Sequence, residues 1–302
     1  MFIYIHSMKV LIYGANGWIG SQFVNIMKNN NINYVAGNAR IDSEKDLICE
    51  IETETPTHIV SFIGRTHGTI GDKTFTTIDY LEQKGKLVDN LRDNLYSPIL
   101  LAIVCKEKNI HYTYLGTGCI FKFDDTHPFG KEENGFVEQS LPNFFGSSYS
   151  IVKGYTDRLM HLFDDHVLNL RIRMPITGEK NTRNFITKIT TYDNICSIPN
   201  SMSVLDELLP YALELMKQKH TGTLNFTNPG LISHNEILKM YKEIVDPNFT
   251  WKNFTPEQQR TILASDRSNN FLSTNNLSEL FPHIKSIKDS VKDCLVHYKK
   301  CV

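Results

Sequence analysis

The residue pair best placed to do chemistry is Tyr149 and Lys153, in the run Tyr149-Ser-Ile-Val-Lys153. Residues four apart on a helix share a face, so a phenol and an ammonium there open onto one cleft. An ammonium beside a phenol favours the phenolate and lowers its pKa from about 10. A tyrosine tuned in this way exchanges a proton with a carbonyl or alcohol oxygen. The pattern alone is common; it gains weight from Gly14-Ala-Asn-Gly17-Trp-Ile-Gly20, directly behind the apolar run Lys9-Val-Leu-Ile-Tyr13. In a strand–turn–helix unit Gly14 allows the tight turn, Gly17 admits a pyrophosphate close to the backbone, and Gly20 lets helix and strand pack closely. The helix N-terminal amides then hold the phosphate.

Four further stretches carry reactive groups. Thr117 ends a predicted strand, where its hydroxyl can share a substrate carbonyl with Tyr149 or be satisfied within a turn. Cys119, two residues on, points the same way in an extended segment and is either a proton donor and acceptor or a small buried apolar residue. Arg183 and Lys188 flank Asn184-Phe-Ile-Thr187, and each reads as a solvated charge when taken alone. Arg267-Ser-Asn-Asn270 suits a diphosphate or a plain polar turn. His67 and His234 lack metal-like companions; the first reads as a sugar contact and the second as part of a helix cap.

These groups need elements to hold them. Helix is expected over 17–29, strand over 33–37 and a further strand at His58-Ile-Val-Ser-Phe-Ile63, with Gly64-Arg-Thr-His-Gly68 following at its ligand-facing end. One long helix near 85–108 carries Asn94, and the strand at 111–115 leads into Thr117. The segment 121–146, rich in Asp, Glu, Pro and Gly, is long enough to suggest an active-site cover. The strand at 167–173 ends at Met174-Pro175. This β-α alternation implies a doubly wound parallel (Rossmann) α/β sheet, with residues 1–175 as the nucleotide-binding domain. Residues 176–302 then form a smaller α/β substrate-binding lobe, parts of which return to the first domain. Ser233-His-Asn-Glu236 and Thr255-Pro-Glu-Gln258 read as capping boxes. At the end of the second strand stands Arg40 rather than an acid, which suits a 2′-phosphate and hence NADPH over NADH.

The 302 residues allow a large core, and the net charge of −1 argues against a general nucleic-acid or membrane-surface binder. No apolar run approaches the ~18–20 residues that span a bilayer. Six scattered cysteines without a Cys-x-x-Cys pair fit free thiols in a reducing compartment, the cytosol by default, and not a zinc site. Met1–Ser7 lack signal-peptide character and read as a dispensable extension before Met8.

Taken together, the glycine turn and the Tyr149/Lys153 pair resemble the extended short-chain dehydrogenase/reductases. Over about residues 8–300 the chain is similar to the bifunctional UDP-4-keto-6-deoxyglucose 3,5-epimerase/4-reductases of UDP-rhamnose synthesis. The match runs through Leu11–Gly20, Thr117–Phe121, Pro142–Tyr149, Arg171–Ile176, Arg183–Lys188, Ile198–Met202, Asn225–Gly230 and Arg267–Asn270. Gly64–Lys84 looks less like the plant form. The resemblance implies a catalytic set of Thr117, Cys119, Tyr149, Lys153 and Lys188. Cys119 matches a cysteine that takes part in epimerisation in the related GDP-fucose synthase, and Lys188 falls where the family places a second acid/base group. The expected cofactor set, for NADPH or NADH, is Gly14, Asn16, Gly17, Trp18, Ile19, Gly20, Arg40, Gly64, Tyr149, Lys153 and Pro175. The expected substrate set, for UDP-4-keto-6-deoxyglucose, is Asn94, Arg183, Asn184, Arg267 and Asn269. A homodimer through a helical face is the usual arrangement in such enzymes. Two other readings remain at this level: a 4-reductase that relies on a separate epimerase, and a non-catalytic NADP-binding regulatory subunit.

Overall fold

Short apolar runs followed by amphipathic helices build a six-stranded, wholly parallel sheet in the order β2-β1-β3-β6-β7-β8. The computed structural model describes residues 8–300, so the expected dispensable extension Met1–Ser7 lies outside the described residues. The strands of this sheet are β1 (Lys9–Tyr13), β2 (Asn33–Ala36), β3 (His58–Ser61), β6 (His111–Thr117), β7 (Val167–Ile172) and β8 (Gly222–Asn225). A separate antiparallel ribbon pairs β4 (Gly68–Ile70) with β5 (Lys73–Phe75). The helices in chain order are α1 (Trp18–Asn29), α2 (Glu44–Glu54), α3 (Leu87–Leu91), α4 (Ser97–Glu107), α5 (Ser148–Met160), α6 (Phe185–Ile189), α7 (Leu205–Lys217), α8 (His234–Ile244), α9 (Pro256–Arg260), α10 (Asn275–Leu280) and α11 (Ile287–Lys300).

Helices cover both faces of the sheet, as its continuous apolar strands require. One core joins Val10, Ile12 and Leu170 to Phe23 of α1 and to Leu208 and Leu213 of α7. The other joins Leu11, Ile59 and Tyr112 to Leu47 of α2 and Leu101 of α4. A third core, with Ile176, Ile186, Ile237 and Val291, knits α6, α8 and α11 into a smaller lobe. Residues 205–225 return to the main sheet, where β8 pairs with β7. The strand order reverses between β1 and β3, and the carboxyl ends of β1, β3, β6 and β7 border the crevice where such sheets bind ligands.

Both expected capping boxes are present, at Ser233/Glu236 and Thr255/Gln258. Two expectations about longer segments need correction. The helix expected over 85–108 is interrupted by a π turn at Arg92–Tyr96, between α3 and α4. There Thr156 Oγ1 donates to the Asn94 carbonyl (2.6 Å), diverting it from the helical ladder. The segment 121–146 does not cover the crevice: none of its residues lines it. Instead Phe121 and Phe136 stack at 4.5 Å and join a small core with Ile120 and Leu272, which anchors the loop against the body of the protein.

Candidate active site

A cleft of about 590 Å³ runs along the carboxyl edge of the sheet into the smaller lobe, a size suited to small-molecule ligands. One end is walled by Gly17, Trp18, Ile19 and Gly20. Gly14 takes φ +79°, and a Cβ on Gly20 would stand 2.1 Å from the Gly14 carbonyl oxygen, so only glycine permits this approach. The cap of α1, Gly17, provides no side-chain hydrogen bond, and no acidic residue sits in the first turn. The first amides of a 12-residue helix are thus left to an outside acceptor. Those features fit a dinucleotide's pyrophosphate.

In the middle of the cleft, α5 brings up Tyr149 and Lys153 opposite Thr117 and Cys119. Ser147 starts the helix by capping the Ser150 amide (3.0 Å), and Ser150 Oγ donates to the Cys119 carbonyl (2.8 Å). The Cys119 amide donates to Thr117 Oγ1 (3.1 Å), which fixes the turn carrying both side chains. Thr117 is also hydrogen bonded to the Tyr149 phenol. The ligand-facing tyrosine and threonine are therefore linked, and the backbone of Cys119 is tied to the same threonine.

The electrostatics differ from the expectation. Burial raises the phenol's pKa above its ordinary value, and the electrostatic influence of neighbouring Cys119 raises it further, while the Thr117 hydrogen bond pulls the other way. Lys153 does not offset this, because its ammonium donates to the Tyr114 hydroxyl and lies 4.6 Å over that ring. Burial brings Lys153 itself down to about 8, against the opposing influence of Asp157 and Cys119. The phenol is therefore held protonated, as a donor, and the buried ammonium is poised to lose its charge near neutrality.

At the other end Arg183, Lys188, Arg267 and Asn269 line the cleft with Tyr192, Cys196, His234 and Gln259. Lys188 is also brought down to about 8, by burial and then by Arg183, and its ammonium lies 3.3 Å from the Thr76 carbonyl. Across the whole cleft five cations, Lys153, Arg173, Arg183, Lys188 and Arg267, face inward, and among the described residues no carboxylate does. Such a wall favours polyanions. Met174, between β7 and Pro175, is held at φ +40° beside the cleft, a strained position that costs on the order of 1–3 kcal/mol and clusters at functional sites.

Of the expected residues the cleft gathers Gly17, Trp18, Ile19, Gly20, Gly64, Asn94, Thr117, Cys119, Tyr149, Lys153, Pro175, Arg183, Lys188, Arg267 and Asn269. Four others do not line it. Gly14 shapes the turn from behind, and Asn16 is exposed outside the cleft. Arg40 is an exposed residue paired to Asp42 through two hydrogen bonds, at 2.9 and 2.8 Å. Asn184 is fully buried as the cap of α6: its Oδ1 accepts from the Ile186 amide, and its Nδ2 donates to the Thr177 and Glu179 carbonyls. No donor or acceptor direction is left for a substrate, so Asn184 is a structural residue. Asn94 shares its amide between the Arg65 backbone and Asn90, at 2.8–2.9 Å, and so ties the chain after β3 to the π turn.

Sequence reasoning passed over Arg173 and Tyr114. Arg173 is buried, donating to Gly118 O, Ser268 and Asn200 while facing the cleft. An arginine between Ile172 and Met174, at the end of a strand, is a readable signal, since such a charge is buried only where partners take up its hydrogen bonds. Tyr114 offers no such signal, because an aromatic in an apolar strand reads as core.

The chain is 53% identical over 292 residues to the L780 protein of Acanthamoeba polyphaga mimivirus, covering 97% of this chain and 99% of that one. The crystal structure of the L780 UDP-rhamnose synthase superposes with a TM-score of 0.92 at 52% identity, over 96% of this chain and 99% of that chain. A bifunctional dTDP-4-dehydrorhamnose 3,5-epimerase/reductase of Arabidopsis thaliana is 41% identical over 286 residues, 94% of this chain and 91% of that protein. At the level of fold alone, a dTDP-4-dehydrorhamnose reductase from Clostridium acetobutylicum superposes with a TM-score of 0.75 at 18% identity, over 95% of this chain and 98% of that one. No family model matches the chain.

Proposed function

Because the chain belongs to the family of rhamnose-forming nucleotide-sugar 3,5-epimerase/4-reductases, we propose that it converts UDP-4-keto-6-deoxy-D-glucose into UDP-β-L-rhamnose. Two reactions are required, epimerisation at C3 and C5 and then reduction at C4. The observation that carries the reading is the convergence of Thr117, Cys119, Tyr149, Lys153 and Lys188 on one cation-lined cleft.

The mechanism follows from the C4 ketone, which acidifies the protons on C3 and C5 because the carbanion left behind is an enolate. Thr117 and Tyr149, already hydrogen bonded to each other, donate to the enolate oxygen, and Lys153 adds positive charge behind them. Cys119 and Lys188 remove and return protons on opposite faces of the ring. A nicotinamide cofactor, NADPH in preference to NADH, supplies hydride to C4 when bound. Tyr149 then protonates the C4 oxygen, a task suited to a phenol held protonated by burial. One oxyanion site serves both steps.

The cofactor's pyrophosphate falls to the amides after Gly17, and the substrate's diphosphate to Arg183 and Arg267 of the second lobe. Arg40 would have to leave Asp42 to reach a 2′-phosphate. UDP is preferred over dTDP as carrier because the L780 structure is that of a UDP-rhamnose synthase. A homodimer is supported by two adjacent exposed apolar stripes, Ile151, Tyr155 and Leu159 on α5 with Tyr96 and Ile103 beside them. A cytoplasmic site fits five free cysteines among the described residues; among those residues no helix is long and apolar enough to cross a membrane.

The deciding test is incubation with UDP-4-keto-6-deoxyglucose in D2O, followed by NMR before and after NADPH is added. Deuterium at C3 and C5 before the cofactor, and UDP-rhamnose after it, is the expected result. Reduction without exchange would make the protein a plain 4-reductase.

A further inference from the structure

Between β3 and α3 the chain makes a detour, Gly64–Tyr80, that the parallel sheet does not require. Its ribbon is weak by itself: β4 and β5 have three residues each and are largely exposed, and two-stranded ribbons are marginal in isolation. It is held from below by apolar contact, where Phe75, Ile78, Tyr80 and Leu81 pack with Tyr149 and Cys119. It is held from the side by polar contacts to three cations of the second lobe. Arg183 lies against the ring nitrogens of His67, Lys188 reaches the Thr76 carbonyl, and Arg267 donates to Asp79. The three second-lobe cations facing the cleft thus each take a partner from this one detour.

The Asp79 contact is the most completely built. Asp79 Oδ2 accepts from Arg267 Nη2 and from Thr77 Oγ1, both at 2.6 Å, and Oδ1 accepts from the Ala264 amide at 3.2 Å. Arg267 Nη1 donates twice to Ser265, to O and to Oγ, each at 3.0 Å. A guanidinium has five N–H donors; three are used here, and the remaining two are free to meet a ligand. Arg267 lines the cleft whereas Asp79 does not. The carboxylate therefore stands behind the guanidinium and does not occupy the ligand's place. The side chains are only 24% and 15% exposed, so the pair is not a solvent-screened surface bridge.

We propose that Asp79 is a positioning residue for substrate recognition, holding Arg267 so that its two unused N–H groups face the diphosphate of the sugar nucleotide. The detour is the wall that sets the substrate end of the cleft, and Asp79 is its anchor. This rests on the reading of the substrate as a nucleoside-diphosphate sugar. Freed from Asp79, Arg267 keeps its charge but loses its direction, so binding of the diphosphate weakens while the chemistry at C4, governed by Tyr149 and Thr117, proceeds unchanged.

The test uses the full chain and UDP as the probe, by titration calorimetry, with NADPH binding and steady-state kinetics alongside. Asp79→Ala should raise the Kd for UDP and the KM for the keto sugar by about tenfold. NADPH affinity and kcat should stay within about threefold. Asp79→Asn, which keeps an acceptor, should fall between wild type and alanine, and it serves if the alanine variant folds poorly. In an Arg267→Gln background Asp79→Ala should cost nothing further. UDP affinity that is unchanged or increased in Asp79→Ala would overturn the assignment, the latter by showing that the carboxylate competes with the ligand. Parallel loss of NADPH affinity would overturn it too, as general damage. Wild-type protein that does not bind UDP would instead remove the substrate reading on which the assignment rests.

Discussion

At the Gly17–Gly20 end the wall of the cleft is backbone, and at the Arg183–Arg267 end it is side chain. The first end is a turn in which an added Cβ on Gly20 would strike a carbonyl at 2.1 Å, with helix amides facing outward. The second is a set of cations held by partners on the Gly64–Tyr80 detour, across sequence separations of 112, 116 and 188 residues. A backbone site has no adjustable part: it is built or broken. A side-chain site built across two lobes is graded, because each contact can be weakened alone. The difference teaches that cofactor binding and substrate binding should respond independently to substitution, with Tyr149 where the two ends meet.

The largest effect should come at that meeting point. Tyr149→Phe removes the only proton the phenol can give, and general acid–base contributions run to about 10²–10⁴. Reduction should fall by about a thousandfold, with NADPH and UDP affinities near wild type. NADPH oxidation in a coupled assay measures it, and turnover within tenfold of wild type would take Tyr149 out of the mechanism.

Cys119→Ser should come next. Epimerisation, read as deuterium entering C3 and C5, should slow by about a hundredfold. Reduction of a sugar already epimerised should continue, since Thr117 keeps its hydroxyl and its hydrogen bond to the Cys119 amide. Equal loss of both reactions would mean that the thiol merely packs the site.

Gly20→Ala tests the backbone end directly. Neither the Gly14 carbonyl nor α1 can yield without opening the turn, at a cost of about 1–3 kcal/mol. NADPH affinity and melting temperature should both fall, while the UDP affinity of the folded fraction holds. A variant that lost UDP as badly as NADPH would break the distinction between the two ends.

The same contrast explains what could be read from the sequence. The cradle is legible because seven consecutive residues, Gly14–Gly20, contain all of it, behind one strand. Tyr149 and Lys153 are legible because helical spacing places them on one face. What spacing cannot supply is the third dimension: Lys153 turns to Tyr114, 39 residues away, and so leaves the phenol's pKa to burial. The detour escapes notice for a related reason. Its strands are short, polar and exposed, and Asp79 matters only through a partner 188 residues distant. The resemblance places Asn184 at the substrate although the contrary signal is local, since an asparagine directly before the first helical residue is a favoured cap. A family pattern shared with Arg183 concealed an ordinary structural role.

The smallest expected effect concerns pH, and it separates the two ends without any substitution. Lys153 and Lys188 sit at about 8 against an ordinary value of 10.5, and His67 and His234 at about 4 against 6.5, burial being the first cause in each case. All four line the cleft, and none belongs to the glycine cradle. As pH rises through 8 both ammonium charges are lost. The kcat/KM for the sugar nucleotide should then fall several-fold by about pH 9, where a pKa near 8 leaves roughly a tenth of each lysine protonated. NADPH affinity should change less, because amides do not titrate and only Lys153 is shared. Stability moves the opposite way. Between pH 8 and 10.5 the unfolded chain binds more protons at these lysines than the folded one, so stability from these groups rises with pH. The histidines act in the same direction lower down: as pH falls from 6.5 toward 4 the unfolded chain gains protons that the folded chain excludes, and stability is lost. Between pH 8 and 9.5 activity should therefore fall while the contribution of these lysines to melting temperature rises. Kinetics and thermal denaturation of wild type and Lys188→Met across that range would show it. If activity and melting temperature fell together, and by the same amount in the variant, the loss would come from unfolding and not from discharge of the substrate end.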